Sequence, residues 1–149
     1  VHALRDASGM LGMRVLQFGV AEAAMSLHHP SQCPSDVIVY TGTHDNNTTA
    51  GWWAELDDDG RRRAAACLGC SEDAASGCAA MIQAALETPS LLAIVPAQDL
   101  LSLGSDARMN TPGEGEGNWG WRLSEPLGGR DASQIRALLA RTGRLNDGD

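Results

Sequence analysis

Three short apolar stretches predict buried β-strands in this chain. They cover residues 13–18 (MRVLQF), 37–40 (VIVY) and 91–95 (LLAIV), and the third is bounded by Pro89 and Pro96. Short apolar runs rich in β-branched residues and bounded by turn formers are typical of strands. Because these runs are almost continuously apolar, they indicate a parallel sheet that is covered on both faces.

Helical patterns lie between and after the predicted strands. Residues 60–68 are rich in Arg and Ala, and Ser71 is suited to cap the start of a helix running to about residue 86. A last helix is predicted to begin at Asp131, with Gln134 as its capping-box partner, and to stop at Gly143. The alternation of strands and helices predicts an α/β fold with a parallel sheet.

Three strands alone would leave both edges of the sheet open and one long face without helices. The pattern therefore predicts a slice of a larger barrel, although 149 residues are enough for one domain. The first residue is Val rather than Met, which favours a chain that begins within a longer reading frame.

Composition and charge exclude several classes of function. Hydrophobic residues make up 43% and charged residues 20%, as in globular proteins, and the net charge is -8. An acidic surface repels phosphate backbones, so nucleic acid is not an expected partner. No apolar run is long enough for a membrane span and no signal peptide opens the chain. The four cysteines are therefore interpreted as reduced thiols of a cytoplasmic protein.

The most informative motif is residues 40–53 (YTGTHDNNTTAGWW), which begin at the end of the second predicted strand. Barrels of alternating strands and helices place reacting groups at this end of each strand. Asp45 can accept hydrogen bonds from sugar hydroxyls, His44 can donate one, and Asn46 can fix the loop. The alternative, which the local pattern by itself favours, is that Asp45 caps the following helix and His44 is an ordinary surface group.

This motif resembles the signature of the 4-α-glucanotransferases, or amylomaltases (glycoside hydrolase family 77). Residues 11–18 (LGMRVLQF) resemble the segment that follows the acid/base glutamate in that family. Residues 96–122 (PAQDLLSLGSDARMNTPGEGEGNWGWR) resemble its closing active-site loop. The resemblance covers most of residues 11–122, in the order and approximate spacing of the family.

The resemblance implies a retaining mechanism on an eight-stranded (β/α)8 barrel without a cofactor or metal. Residues 1–149 would be the C-terminal portion of that single catalytic barrel, with about its last three β/α units. Asp45 corresponds to the family's third carboxylate, which stabilises the oxocarbenium-like transition state, and His44 to the sugar-binding histidine. The nucleophile and the acid/base are expected before Val1.

Further residues are candidates for contacts with the glucan, each with a structural alternative. Phe18 is equally suited to the barrel core. For Glu22 the alternative of a solvated surface carboxylate is favoured, and for Asn110 that of a residue that shapes the loop. Asp99, next to Gln98 at the end of the third strand, is as well suited to cap the following helix. Trp119 is open between sugar stacking and packing. The substrate-binding candidates are His44, Asn46, Phe18, Glu22, Gln98, Asn110 and Trp119.

Some positions depart from the family or resemble other sites. Asn47 stands where the family usually has Asp, which removes a charge beside the site. The spacing of Cys67 and Cys70 suits metal ligands, but a second ligand pair is missing, so no metal site is predicted. Gly113, Gly115 and Gly117 resemble a phosphate-binding glycine loop. They alternate with Glu114 and Glu116, whose charges would repel a phosphate, so no such loop is predicted.

The function predicted from these observations is a cytoplasmic 4-α-glucanotransferase. Its partners are maltooligosaccharides and α-1,4-glucans, with no nucleic acid and no membrane. Two alternatives stay open: a truncated, non-catalytic glucan-binding remnant, and a starch-cleaving hydrolase on a similar barrel.

Overall fold

A computed structural model describes residues 2–22 and 26–145 of the chain. Strands, helices and single 3-10 turns alternate along these residues. The strands are β1 (Gly12–Val15), β2 (Val37–Tyr40) and β3 (Leu92–Ile94). The helices are α1 (His2–Ala7), α2 (Thr49–Glu55), α3 (Asp58–Leu68), α4 (Ala74–Glu87), α5 (Ala97–Leu100) and α6 (Gly129–Arg141). The 3-10 turns are Leu16–Phe18, Pro30–Gln32 and Ser105–Ala107.

The strands form one parallel sheet in the order β1-β2-β3, so the predicted α/β class with a parallel sheet is confirmed. Val15 pairs with Tyr40, and Tyr40 with Ile94, which brings the carboxyl ends of all three strands to one edge. β1 is shorter than predicted: Gly19 and Val20 both donate backbone hydrogen bonds to the Leu16 carbonyl, so the chain turns after Val15. Apolar residues continue from the strand into this turn, so the sequence predicted a strand that extends to residue 18.

The core lies between one face of the sheet and the helices. Val37 and Val39 pack with Trp53 and Met81, and the Trp53 indole N–H donates to the carbonyl of Glu72 at 2.7 Å. Gly77 lets α4 approach this indole, since an added Cβ would lie 2.6 Å from it. The sheet is therefore anchored on one face by α2, α3 and α4.

The opposite face of the sheet is open among the described residues. Met13 and Leu92, which pair with Ile38 from either side, are 54% and 47% exposed. Paired residues of parallel strands project to the same side, so these side chains share the face that the helices do not cover. Such a face is consistent with part of a barrel, in which the strands also enclose an interior.

Two predicted helix starts are wrong. α4 is capped by Asp73, whose side chain accepts from the Ser76 N–H at 2.9 Å, and not by Ser71. α6 begins at Gly129, so Asp131 lies inside the helix; its side chain falls outside what the structure describes, and the predicted capping box with it.

The predicted end of the last helix is confirmed. Gly143 has φ +69 and donates to the Ala140 carbonyl, a left-handed conformation that favours glycine. Arg144 then donates to the carbonyls of Leu86, Thr88 and Ser90, which ties the end of α6 to the end of α4.

Candidate functional site

The loop after β2 is folded by its own polar side chains. Asn46 Oδ1 accepts from the backbone N–H and the hydroxyl of Thr43, at 3.0 and 2.8 Å. The Asp45 N–H lies 3.4 Å from the same hydroxyl. Asn46 therefore shapes the loop, as the motif predicted. Asp45 projects from this loop with 51% of its side chain exposed.

A second loop, which follows β3, reaches the carboxylate of Asp45. The Asn110 amide donates to Asp45 Oδ1 at 2.6 Å, and His44 Nε2 lies 3.3 Å from the same oxygen. The Arg108 guanidinium donates to the backbone carbonyls of Asp45, at 2.8 Å, and Asn110, at 2.9 Å. Two segments more than 60 residues apart are thus joined at one carboxylate.

Trp119 packs against the ring of His44, the residue next to Asp45. Its ring centroid lies 5.1 Å from that of His44, and it is 54% exposed. Its φ of +63 is in the left-handed region, which a bulky residue seldom adopts. Its backbone N–H donates to the Met109 carbonyl at 2.7 Å. Asn118 folds the preceding turn by accepting from the Thr111 N–H at 2.8 Å.

Two clefts border the tip of β2. The larger, about 510 Å³, is lined among others by Phe18, Asp45 and Trp52. The smaller, about 220 Å³, is lined by His44, Asn46, Gln98, Arg108 and other residues. A carboxylate, an imidazole, amide groups and exposed rings around open clefts can bind the hydroxyls and the apolar faces of a sugar.

The predicted substrate-binding residues are brought together only in part. Phe18, 51% exposed, borders the larger cleft and packs edge-on against His28 at 5.5 Å. Gln98 is buried and donates to the Ala107 carbonyl at 3.3 Å. Glu22 is exposed and lines neither cleft. Asp45, His44, Asn46, Asn110 and Trp119 form one contiguous group.

The sequence left open that Asp45 and Asp99 each cap the helix that follows them, and both of these alternatives are wrong. α2 is capped by Thr48, whose hydroxyl accepts from the Gly51 N–H at 3.0 Å, so Asp45 is not its cap. Asp99 does not cap its own helix α5. Its carboxylate is buried and instead accepts hydrogen bonds from the Thr41 hydroxyl and the Thr49 N–H.

Asn47 is turned away from the exposed group. Its amide donates to Glu55 Oε1 at 2.6 Å and to Ser105 Oγ at 2.9 Å, and its oxygen accepts from the Thr48 N–H. Gln17, which sequence reasoning missed, donates to the Asn47 carbonyl at 3.0 Å. The signal for Gln17 was an uncharged polar residue near the end of the apolar stretch 13–18.

The cysteines lie away from the Asp45 group. Cys67 Sγ is 3.1 Å from His29 Nε2. None of the four cysteines forms a disulfide bond. Burial raises the pKa of Cys67, and burial together with Asp99 raises the pKa of Cys78 to about 11. Within residues 2–22 and 26–145, no three His, Cys, Asp or Glu side chains are arranged to hold a metal ion. None of the helices in this part of the chain is long and apolar enough to cross a membrane.

Comparison with known proteins connects this geometry to a family. The sequence profile of the 4-alpha-glucanotransferase family matches residues 1–127. A chloroplastic/amyloplastic 4-alpha-glucanotransferase of Arabidopsis thaliana is 42% identical over 150 residues, which are 97% of this chain and 26% of the relative. The 4-alpha-glucanotransferase of Thermus thermophilus is 38% identical over 152 residues, 97% of this chain and 30% of the relative.

A solved structure agrees with these sequences. The amylomaltase of Streptococcus agalactiae, in complex with acarbose, matches with a TM-score of 0.89 and 27% identity, over 97% of this chain and 30% of that chain. The chain therefore spans between 26% and 30% of the length of these relatives. Because both loops that meet at Asp45 lie inside the matched residues 1–127, and the fold agrees as well, the chain belongs to the 4-alpha-glucanotransferase family.

Proposed function

We propose that these residues act as part of an enzyme that transfers α-1,4-glucan segments from maltooligosaccharide donors to glucose or glucan acceptors. The observation that carries the proposal is the Asp45 carboxylate, half-exposed in the loop after β2 and hydrogen-bonded to Asn110 of the second loop. Family membership supports the reaction class, and the contiguous polar and aromatic group supports a sugar as the ligand.

Asp45 is the catalytic residue of this proposal. In the described part of the chain, the side-chain contacts of Asn110 and His44 both fall on Oδ1, and Oδ2 is left to accept from sugar hydroxyls. A negative charge fixed in this way stabilises the positive charge that develops on the sugar ring in an oxocarbenium-like transition state. Its orientation is set by Arg108, which holds the Asp45 carbonyl.

The surrounding residues are assigned to substrate binding. His44 donates to a hydroxyl, and Trp119 offers an exposed ring on which a pyranose face can stack. Phe18 borders the larger cleft on the side of β1. The weaker assignments are Asn46 and Asn110, which also hold the loops, Gln98, which lines the smaller cleft, and Glu22, which lines neither.

The retaining double displacement needs two more carboxylates, a nucleophile and an acid/base. The proposal assigns both to segments N-terminal to Val1 in the complete protein. Residues 1–149 then form the C-terminal portion of one catalytic (β/α)8 barrel. The open sheet face with its exposed Met13 and Leu92 supports this arrangement, since further strands would cover it. Four unpaired thiols fit a reducing compartment such as the cytoplasm.

The experiment compares Asp45→Asn with Asp36→Asn in the complete polypeptide that carries these residues. Asp36 precedes β2 and is exposed at the opposite end of the same strand, so its variant controls for the loss of one acidic charge. With maltotriose as the only substrate, we expect wild type and Asp36→Asn to form both glucose and longer oligosaccharides. Asp45→Asn should lose about 1000-fold in kcat, comparable to removal of a group that stabilises transition-state charge.

Other outcomes separate the alternatives. Transfer by Asp45→Asn at the wild-type rate would refute the assigned role. Glucose release without longer products would favour the hydrolase. Binding of acarbose in a calorimeter with no transfer by wild type would favour the non-catalytic glucan-binding protein.

A further inference from the structure

Asp99 is a buried carboxylate outside the Asp45 group. It is 1% exposed, and no Lys, Arg or His of the described residues forms an ion pair with it. Its Oδ2 accepts from the Thr41 hydroxyl at 2.5 Å, and its Oδ1 accepts from the Thr49 N–H at 2.7 Å. Burial of a carboxylate is unfavourable unless hydrogen bonds compensate for the lost hydration, so these two bonds stabilise Asp99 in its buried position.

The two partners of Asp99 are the residues that bound the loop carrying Asp45. Thr41 follows the last residue of β2, and Thr49 is the first residue of α2. One carboxylate therefore holds both ends of the segment 42–48. Gln17, in the 3-10 turn Leu16–Phe18, attaches the same segment from another side, because its side-chain amide donates to the Asn47 carbonyl at 3.0 Å and its backbone N–H to the Thr41 carbonyl at 3.3 Å.

Asp99 also lies at the start of the segment that meets this loop from the other side. It belongs to α5, which leads into the 3-10 turn Ser105–Ala107 and then to Arg108 and Asn110. Both residues contact Asp45. A shift of Asp99 relative to Thr41 or Thr49 would therefore change the separation of Asp45 from its own partners.

We infer that Asp99 is a positioning residue, which fixes the conformation of the segment 42–48 by binding Thr41 and Thr49 and thereby sets the place of the Asp45 carboxylate. This inference rests on the proposed function, since it assigns Asp99 a role in the same transfer reaction. Displacement of a reacting group by about 1 Å can cost about 100-fold in rate, so loss of the clamp should appear in kcat.

The test removes one hydrogen bond of the clamp without removing the buried carboxylate. Thr41→Val keeps the shape of the side chain and loses the hydroxyl, whereas Thr41→Ser keeps the hydroxyl. The matched control is Thr88→Val, because the Thr88 hydroxyl is also buried and donates to the Ala85 carbonyl at 2.8 Å, near the end of α4 and apart from the segment 42–48.

In maltotriose transfer by the complete polypeptide, we expect Thr41→Val to lose about 10- to 100-fold in kcat with a smaller change in KM. Thr41→Ser should stay within about threefold of wild type, and Thr88→Val should keep the wild-type kcat although it also loses a buried hydrogen bond. Amide hydrogen exchange of residues 43–48 should accelerate in Thr41→Val, while that of residues 37–40 should not.

Equal losses of kcat in Thr41→Val and Thr88→Val would overturn the inference, because general destabilisation would then explain both. Wild-type kcat and unchanged exchange of residues 43–48 in Thr41→Val would also overturn it. If wild type transfers no glucan, the proposed function fails, and the exchange experiment still decides whether Asp99 fixes the loop.

Discussion

Asn47→Asp is a one-atom change whose effect depends on a contact that sequence alone does not reveal. The Asn47 amide donates to Glu55 at 2.6 Å and to Ser105 at 2.9 Å, and the residue is 6% exposed. Substitution replaces the donor with a carboxylate oxygen that faces the carboxylate of Glu55. The variant therefore loses a hydrogen bond to a charged group and gains a like charge beside it.

The magnitude follows from these two terms. A hydrogen bond to a charged group contributes about 1.5–3 kcal/mol. Two like charges about 4 Å apart repel by about 4 kcal/mol at an effective dielectric constant of about 20. Glu55 is exposed and can turn towards water, which removes most of the repulsion. We therefore expect Asn47→Asp to lower the free energy of unfolding by about 1–3 kcal/mol at neutral pH, mainly through the lost hydrogen bond.

The pH dependence of stability follows from the pKa of the introduced carboxyl group. Burial and a neighbouring carboxylate raise the pKa of the introduced carboxyl group in the folded protein above its unfolded value. Its stability contribution is then complete below the unfolded pKa, about 4, and is lost as pH rises through the folded pKa. The deficit of Asn47→Asp relative to wild type should therefore be small near pH 4 and full at pH 7.5.

Urea unfolding followed by tryptophan fluorescence measures this deficit, because Trp53 of α2 lies in the core. The control is the double variant Asn47→Asp with Glu55→Gln, in which the amide introduced at position 55 can donate to the new carboxylate. The double variant should recover at least half of the loss. Equal stability of Asn47→Asp and wild type at pH 7.5, or no recovery in the double variant, would refute the reasoning.

Two further predictions concern the core and the turn after β1. Gly77→Ala should destabilise the fold by about 1–3 kcal/mol in thermal unfolding, because the new Cβ would lie 2.6 Å from the Trp53 indole; an unchanged Tm would contradict this packing. Burial, and then the charge of Arg14, lower the pKa of His28, whose Nδ1 accepts from the Val15 N–H. Stability should therefore fall as pH drops below about 6.5 towards the lower folded pKa, and His28→Gln should abolish that part of the slope.

The sequence identified the elements of the fold better than their ends. The three apolar stretches all contain strands of one parallel sheet, although helices cover only one face of that sheet among the described residues. The end of β1 was missed, since Leu16 and Gln17 are buried in a turn as thoroughly as strand residues are. Ser71 and Asp73 are both suited to cap a helix, and the helix begins after Asp73.

The motif around Asp45 was visible in the sequence because its residues are consecutive. The contacts of Asp45 with Arg108 and Asn110 were not, since they join residues 63 and 65 positions apart. The role of Asp99 was equally hidden. Its local position suggested a cap of the next helix, and its partners are 58 and 50 positions away.

The sequence by itself determined the α/β class, the parallel sheet, the resemblance to the 4-alpha-glucanotransferases and the motif that carries Asp45. These depend on side-chain periodicity and on residues adjacent in the chain. Tertiary structure alone decided which polar groups meet at the carboxyl edge of the sheet, and that Asn47 turns inward while Asp45 projects. Parallel register brings the strand tips to one edge, and the hydrogen bonds made there depend on distances between segments that no local pattern encodes.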